Sequence, residues 1–191
     1  MTSPNSARLE PMSEEEFQAF LQRQVPRRAA KWVERGIWTE ATALEESRRV
    51  YDQLLPEGRT TPGNHFLKVV ETTRRVPIGE VWYTAVHRGG KQQFWVEWIQ
   101  IEPDHRRKGF ATTVMGILED LARASGADRV GLTVWEDNPA AARLYAKLGF
   151  RSASLNMVKP LAPARKRLAT HAFPTASSSR SGASRRRSRP T

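Results

Sequence analysis

QFWVEWIQIEPDHRRKGFATTVMGILEDLARASGADRVGLTVW, residues 93–135, decides the fold. Its opening, QFWVEWIQI (93–101), is rich in β-branched and aromatic residues and predicts a strand. From residue 109 the period changes. Phe110, Val114, Ile117, Leu118 and Leu121 recur at helical spacing to about Ser125, and Gly126 ends the helix. RVGLTVW (129–135) predicts another strand. A strand, a helix and a strand in succession form a β-α-β unit with parallel strands and a right-handed crossover. HRRKGFAT (105–112) therefore occupies the turn from strand into helix.

At such a turn the first amides of the helix have no carbonyl partners. Together they carry roughly half a positive charge, which suits a phosphate. Gly109 lets a ligand approach the backbone without meeting a Cβ, and Ala111 keeps the next turn slim. Arg106, Arg107 and Lys108 add mobile charge around the same point. The stretch reads as a diphosphate cradle formed by Gly109, Phe110, Ala111 and Thr112. Taken alone, it reads more readily as a solvated basic turn before an ordinary helix.

Outward from this unit, the N-terminal region is helical. ARLEPM (7–12) predicts a short strand. Ser13 and Glu16 form a capping box for a helix running to about Arg23, before Pro26. A second short helix is expected over 27–35, ending at Gly36. A third follows Thr39, with Leu44, Ser47, Tyr51 and Leu54 inward. Strands follow at 64–71 and 78–87, and RGGK (88–91) predicts a tight hairpin into strand 93–101. NPAAARLYAKLGF (138–150) is a helix capped by Asn138, with Pro139 at its first position and Gly149 at its close. RSASLNMVK (151–159) is expected as a last strand. From Pro160 the chain turns to Ala, Pro, Ser and Arg, and residues 160–191 are expected as a disordered basic tail after a domain over 1–159.

The formal charge of +11 resolves on mapping. Residues 138–191 carry twelve Lys and Arg and no acid, while residues 1–137 carry nineteen bases against twenty acids. The body is thus close to neutral and gives no clear hint of a charged substrate. The tail is a solvated appendage or a nonspecific contact for nucleic acid, and no other part of the chain suggests that partner. Cysteine is absent, which excludes disulfides, thiolate zinc sites and a cysteine nucleophile, and the four His are scattered, so no metal is expected. Nowhere do eighteen apolar residues run together, and residues 1–17 have no apolar signal core, so a cytoplasmic protein without membrane contact is expected.

Two motifs now carry a resemblance. RRKGFA (106–111) matches the Q/R-x-x-G-x-G/A signature of the GNAT superfamily of N-acetyltransferases, and the downstream Asn, Leu-Tyr and Gly-Phe of 138–150 look like that family's second motif. The resemblance is strong over 94–150 and weak before 64. It implies an α/β (α+β) fold: a mixed, mostly antiparallel sheet flanked by helices, with the parallel β-α-β unit at the coenzyme site. It also implies acetyl-CoA as cosubstrate and transfer of the acetyl group to a primary amine of a small molecule or protein. The diphosphate would rest on amides near 107–112 and the pantetheine arm along Ile99 and Ile101, where the strand splays from its parallel neighbour. A β-bulge near Trp98 or Ile99 would be the physical cause of that splay. Asn138 would bond the coenzyme arm, and Tyr145 matches the usual general acid. The helical N-terminal region would help to wall the acceptor site, and the assembly is expected to be a monomer or homodimer.

An alkyl amine with pKa near 10.4 is neutral in only about one molecule in 2,500 at pH 7, so a base is useful. Glu97 is the candidate. Simple alternation puts it on one face with Trp95, Ile99 and Ile101, where burial would raise its pKa. Glu71, Glu80 and Glu102 are weaker candidates. Trp82, Trp95, Trp98 and Trp135 are expected in the core; Trp32 and Trp38 pack in the helical region or touch substrate. The rival reading is a noncatalytic acyl-CoA-binding module, recruited to nucleic acid by its tail.

Overall fold

An amphipathic sheet needs cover on each apolar face, and here helices cover both. The computed structural model describes residues 6–159. Strands β1 (Ala7–Pro11), β2 (Asn64–Glu71), β3 (Pro77–Arg88), β4 (Lys91–Ile101) and β5 (Arg129–Leu132) form one sheet in the order β1-β2-β3-β4-β5. The pairs are antiparallel except β4 with β5, which is parallel, as the β-α-β reading requires. Helices α1 (Glu14–Glu34) and α2 (Glu40–Leu54) cover one face, and α3 (Phe110–Ala124) and α4 (Pro139–Lys147) the other. Among the described residues no helix is long and apolar enough to cross a membrane.

Each face has its own core. Phe17 and Phe20 of α1 are fully buried against Phe66, Trp82, Tyr51 and Leu55. Phe17 meets Phe66 edge-on at 4.7 Å between ring centroids. Burying each of these phenylalanines contributes about 1.5–3 kcal/mol. On the opposite face Val114, Met115 and Leu118 of α3, all fully buried, pack with Phe110, Val81, Val96, Ile101 and Tyr145. Ser13 and Glu16 form the expected capping box. Gly89 and Gly90 both take positive φ, as the tight β3–β4 hairpin demands.

Away from the site, the elements differ from the sequence reading in four places. Residues 14–34 are one helix, with Pro26 inside it, rather than two. Proline removes one helical hydrogen bond, the one to the Gln22 carbonyl. Gln22 is exposed, so water can serve that group, while buried Gln24 and Ala29 hold the helix on both sides of the break. On α2 the buried positions are Ala43, Ser47 and Tyr51, and Leu44 and Leu54 are exposed. Strand β5 stops at Leu132, so Trp135 lies in a loop, 46% exposed. Residues 151–159 form no strand: Ser152, Ala153, Ser154 and Asn156 have little β preference, and Leu155, Met157 and Val158 are all exposed. The expected tail over 160–191 lies outside the described residues.

Gly79 on β3 is held by a close approach. A Cβ there would stand 2.2 Å from the Gln100 carbonyl oxygen of β4. That obstacle is neighbouring backbone and cannot swing aside. Gly79→Ala should destabilise the fold by about 3 kcal/mol, lowering the thermal midpoint by roughly 10 °C. Calorimetry checks this, and a midpoint within a degree or two of the parent would show that β3 and β4 part more easily than the packing implies.

Candidate active site

The turn before α3 has the backbone that an anion site needs. Gly109 is the N-cap with φ of +84°, and no side chain caps the helix. Arg107, two residues earlier, also takes a left-handed φ of +58°, unusual for a side-chain-bearing residue. A left-handed residue such as Gly109, leading into the right-handed residues of α3, turns successive amides to one side and forms a concave nest for an anion. The amides of Phe110, Ala111 and Thr112 lie in the first turn, where the helix offers them no acceptor. Phe110 contributes only backbone here, because its ring is buried in the core.

The three basic residues divide. Arg106 donates through Nε to the Ile101 carbonyl at 2.8 Å, and Lys108 donates through Nζ to the Asp104 carbonyl at 2.7 Å. Both fasten the loop instead of standing as mobile charge. Arg107 is exposed and projects from the strained position between them. One lone pair of the Ile101 carbonyl is thereby engaged.

Beside the cradle the sheet opens. The β4–β5 ladder runs from Gln93↔Arg129 to Val96↔Leu132 and stops. Past Val96, residues 97–101 of β4 have no strand partner on that side among the described residues. At the same point β4 bulges: Trp82 faces Trp98 and Tyr83 faces Val96, leaving Glu97 as the extra residue. The bulge lies beside the expected position, and it corrects the face assignment. An extra residue reverses alternation beyond it. Ile99 and Ile101 therefore join Phe94 and Val96 on the α3/α4 face, while Trp98 packs on the α1/α2 face. Glu97 is exposed, so the burial expected for it is absent; its Oε1 accepts from the Thr84 hydroxyl at 3.2 Å.

The other candidate bases are placed differently. Glu80, 7% exposed, accepts from Arg23 at 2.6 Å, Trp98 Nε1 at 3.1 Å and Gln24 at 3.3 Å, and so ties α1 to β3 and β4. Glu71 is on β2, with β3 between it and β4. Glu102 is exposed and starts a short 3-10 turn over Pro103–His105 without a side-chain bond. Among the described residues no three His, Asp or Glu side chains group as metal ligands.

Tyr145 of α4 is 8% exposed and meets Phe150 edge-on at 5.6 Å. Burial raises its pKa above the ordinary tyrosine value near 10, which keeps the hydroxyl protonated. Asn138 caps α4: its Oδ1 accepts from the Ala141 amide at 3.1 Å. That leaves its amide NH2 to serve another group.

Sequence reasoning missed the inner face of α1 opposite Glu97. Arg27 stacks on Trp98, with Cζ 4.4 Å from the ring centroid, and Arg28 lies 5.1 Å from the Trp32 ring. Arg35 lies over Trp135 at 3.4 Å and pairs with Asp137, as does Lys31. The signal was present: positions 17, 20, 24, 27, 28, 31 and 35 share one helical face. Splitting the helix at Pro26 hid that continuity. Trp135 thus belongs to this rim and not to the core.

A model of the acetyltransferase (GNAT) family matches residues 28–150. The uncharacterized N-acetyltransferase YdgE of Bacillus subtilis (strain 168) is 31% identical over 153 residues, covering 80% of this chain and 97% of that protein. The uncharacterized N-acetyltransferase YycN of the same organism is 29% identical over an equal length. The crystal structure of YycN, a putative acetyltransferase, superposes with a TM-score of 0.75 at 28% identity, covering 83% of this chain and all of that one. A putative acetyl transferase from Pyrococcus furiosus shares the fold, with a TM-score of 0.61 at 18% identity.

Proposed function

The chain belongs to the GNAT family of acetyltransferases, and from that premise we propose that it acetylates a primary amine arriving from the α1/α2 side of the sheet. It is an acetyl-CoA-dependent N-acetyltransferase. One observation carries the site assignment: the bulge at Glu97 and the end of the β5 ladder at Val96 coincide, opening the edge of β4 between the cradle and Tyr145. The cradle fits a diphosphate because its amides are uncapped and Gly109, at the left-handed N-cap, brings no side chain to the hollow.

Bound acetyl-CoA supplies an acetyl thioester whose carbonyl carbon is open to an amine. The amides of residues 109–112 and the Arg107 guanidinium hold its diphosphate. Lys108, released from the Asp104 carbonyl, adds a second charge, while Arg106 keeps the loop in shape. The backbone at Ile99 and Ile101 and the Asn138 amide line the arm. The acid and base stand on opposite faces of the sheet, with the open β4 edge between them. Glu97, the only acid in β4, takes the proton leaving the amine, directly or through one water. As the nitrogen–carbon bond forms, the carbon–sulfur bond breaks, and the Tyr145 hydroxyl donates to the departing sulfur.

Thiol release on an amine panel tests the enzyme against a binding module: turnover with at least one amine supports it, and tight coenzyme binding without turnover sinks it. Glu97→Gln should lower kcat/KM at pH 7 by about 10²-fold. The deficit should shrink toward pH 10, where the amine supplies its own free base. A wild-type-to-variant ratio that stays constant across that range would remove Glu97 as the base.

A further inference from the structure

The inner face of α1 changes character along its length. Phe17 and Phe20 are apolar and fully buried, but the same face continues as Gln24, Arg27, Arg28, Lys31 and Arg35. The cations around Arg27 and Arg28 are neutralised: Arg23, beside the face, by Glu80, and Lys31 and Arg35, at its end, by Asp137. The middle pair is not. Among the described residues Arg27 donates only to the neutral Gln100 amide oxygen, at 2.6 Å, and no carboxylate lies within ion-pair distance of Arg27 or Arg28. The Nε of Arg28 is buried without a hydrogen-bond partner among the described residues, while the same guanidinium bonds the Tyr51 side chain. The charge of this guanidinium is offset by no carboxylate at ion-pair distance among the described residues, which leaves it to an anion that arrives. The Tyr51 hydroxyl between them is raised in pKa by burial, lowered in part by Arg28 and Arg27, and raised further by Glu97. All three charges therefore act around one phenol.

We propose that the acceptor amine also bears an anionic group, a carboxylate or a phosphate, bound by Arg27 and Arg28 while its amine faces Glu97. This rests on the reading of the α1/α2 face as the acceptor side. Each Cζ lies over an aromatic ring, Trp98 or Trp32, which steadies the guanidinium and leaves the N–H groups beyond those bonded to Gln100 and Tyr51 for a planar or tetrahedral oxyanion. The near-neutral body conceals this, because the excess is local to one helix face.

The test compares matched acceptors: 3-aminopropanoate and 2-aminoethyl phosphate against 3-aminopropanamide and propylamine. The anionic amines should show kcat/KM at least about tenfold higher, as one charge-assisted contact supplies. Whichever of the two is faster identifies carboxylate or phosphate as the group. Arg28→Met and Arg27→Met should raise KM for the anionic amines by about tenfold or more while leaving KM for acetyl-CoA and rates with propylamine unchanged, and Arg28→Lys should recover part of the loss. Equal rates for neutral and anionic amines overturn the proposal, as does an equal fall for every acceptor in Arg28→Met. If no amine is turned over, the acetyl-transfer reading fails separately. The anion site is then read by quenching of tryptophan fluorescence with 3-aminopropanoate and with inorganic phosphate in the presence of CoA. Saturable quenching lost in Arg28→Met supports the site, and its absence in the parent protein overturns it.

Discussion

Tyr145→Phe is expected to lower kcat by about 10²- to 10³-fold with little change in the KM for acetyl-CoA. The substitution removes one oxygen and nothing else. The ring keeps its edge-on contact with Phe150 and its place in the α3/α4 core, and the hydroxyl has no hydrogen-bond partner among the described residues to lose. The thermal midpoint should therefore hold, which separates a lost proton donor from a lost core contact. The sign of the pH dependence follows from burial. A general acid must be protonated to act, and burial pushes Tyr145 above its usual value near 10. Wild-type kcat/KM should thus rise with pH as the amine deprotonates, without an alkaline fall from Tyr145 below about pH 10. An unchanged kcat in Tyr145→Phe, or a loss matched by a lower midpoint, would assign this residue to packing.

Much of this site could be read from the sequence because its carriers are local. The strand, the turn with Gly109 and the α3 stripe are contiguous, and so are Asn138, Pro139 and Tyr145 in α4. Local period and punctuation suffice for such elements. What escaped reading depends on partners far along the chain. A bulge at Glu97 is a relation between β4 and β3, and one unpaired residue there reversed the faces of Ile99 and Ile101. Alternation alone cannot reveal it. Pro26 misled for a similar reason: its local penalty is real, but α1 is held on both sides by tertiary packing that the sequence does not display. Arg106 and Lys108 count equally as cations in the sequence, yet each is engaged with a carbonyl of the turn.

Gly109→Val should raise the dissociation constant for acetyl-CoA by about 10²-fold or more. At φ of +84° a β-branched residue is strained by roughly 1–3 kcal/mol. The strain cannot relax by moving α3, since Phe110, Val114 and Leu118 anchor that helix in the core. The exposed turn must give way instead, and its amides turn from the hollow. Losing two charge-assisted hydrogen bonds at about 1.5–3 kcal/mol each accounts for the expected effect. The loss should be local to the diphosphate. S-Acetylpantetheine, which lacks that group, should react at the same rate with parent and variant, and the α3/α4 core should keep the thermal midpoint within a few degrees. Gly109→Ala should fall between, because a single methyl strains the left-handed turn less than a branched side chain. If isothermal calorimetry finds the affinity of Gly109→Val unchanged, the diphosphate binds elsewhere and the roles given to Tyr145 and Glu97 lose their anchor. If S-acetylpantetheine suffers as much as acetyl-CoA, the turn acts on the thioester's surroundings and not on the phosphates.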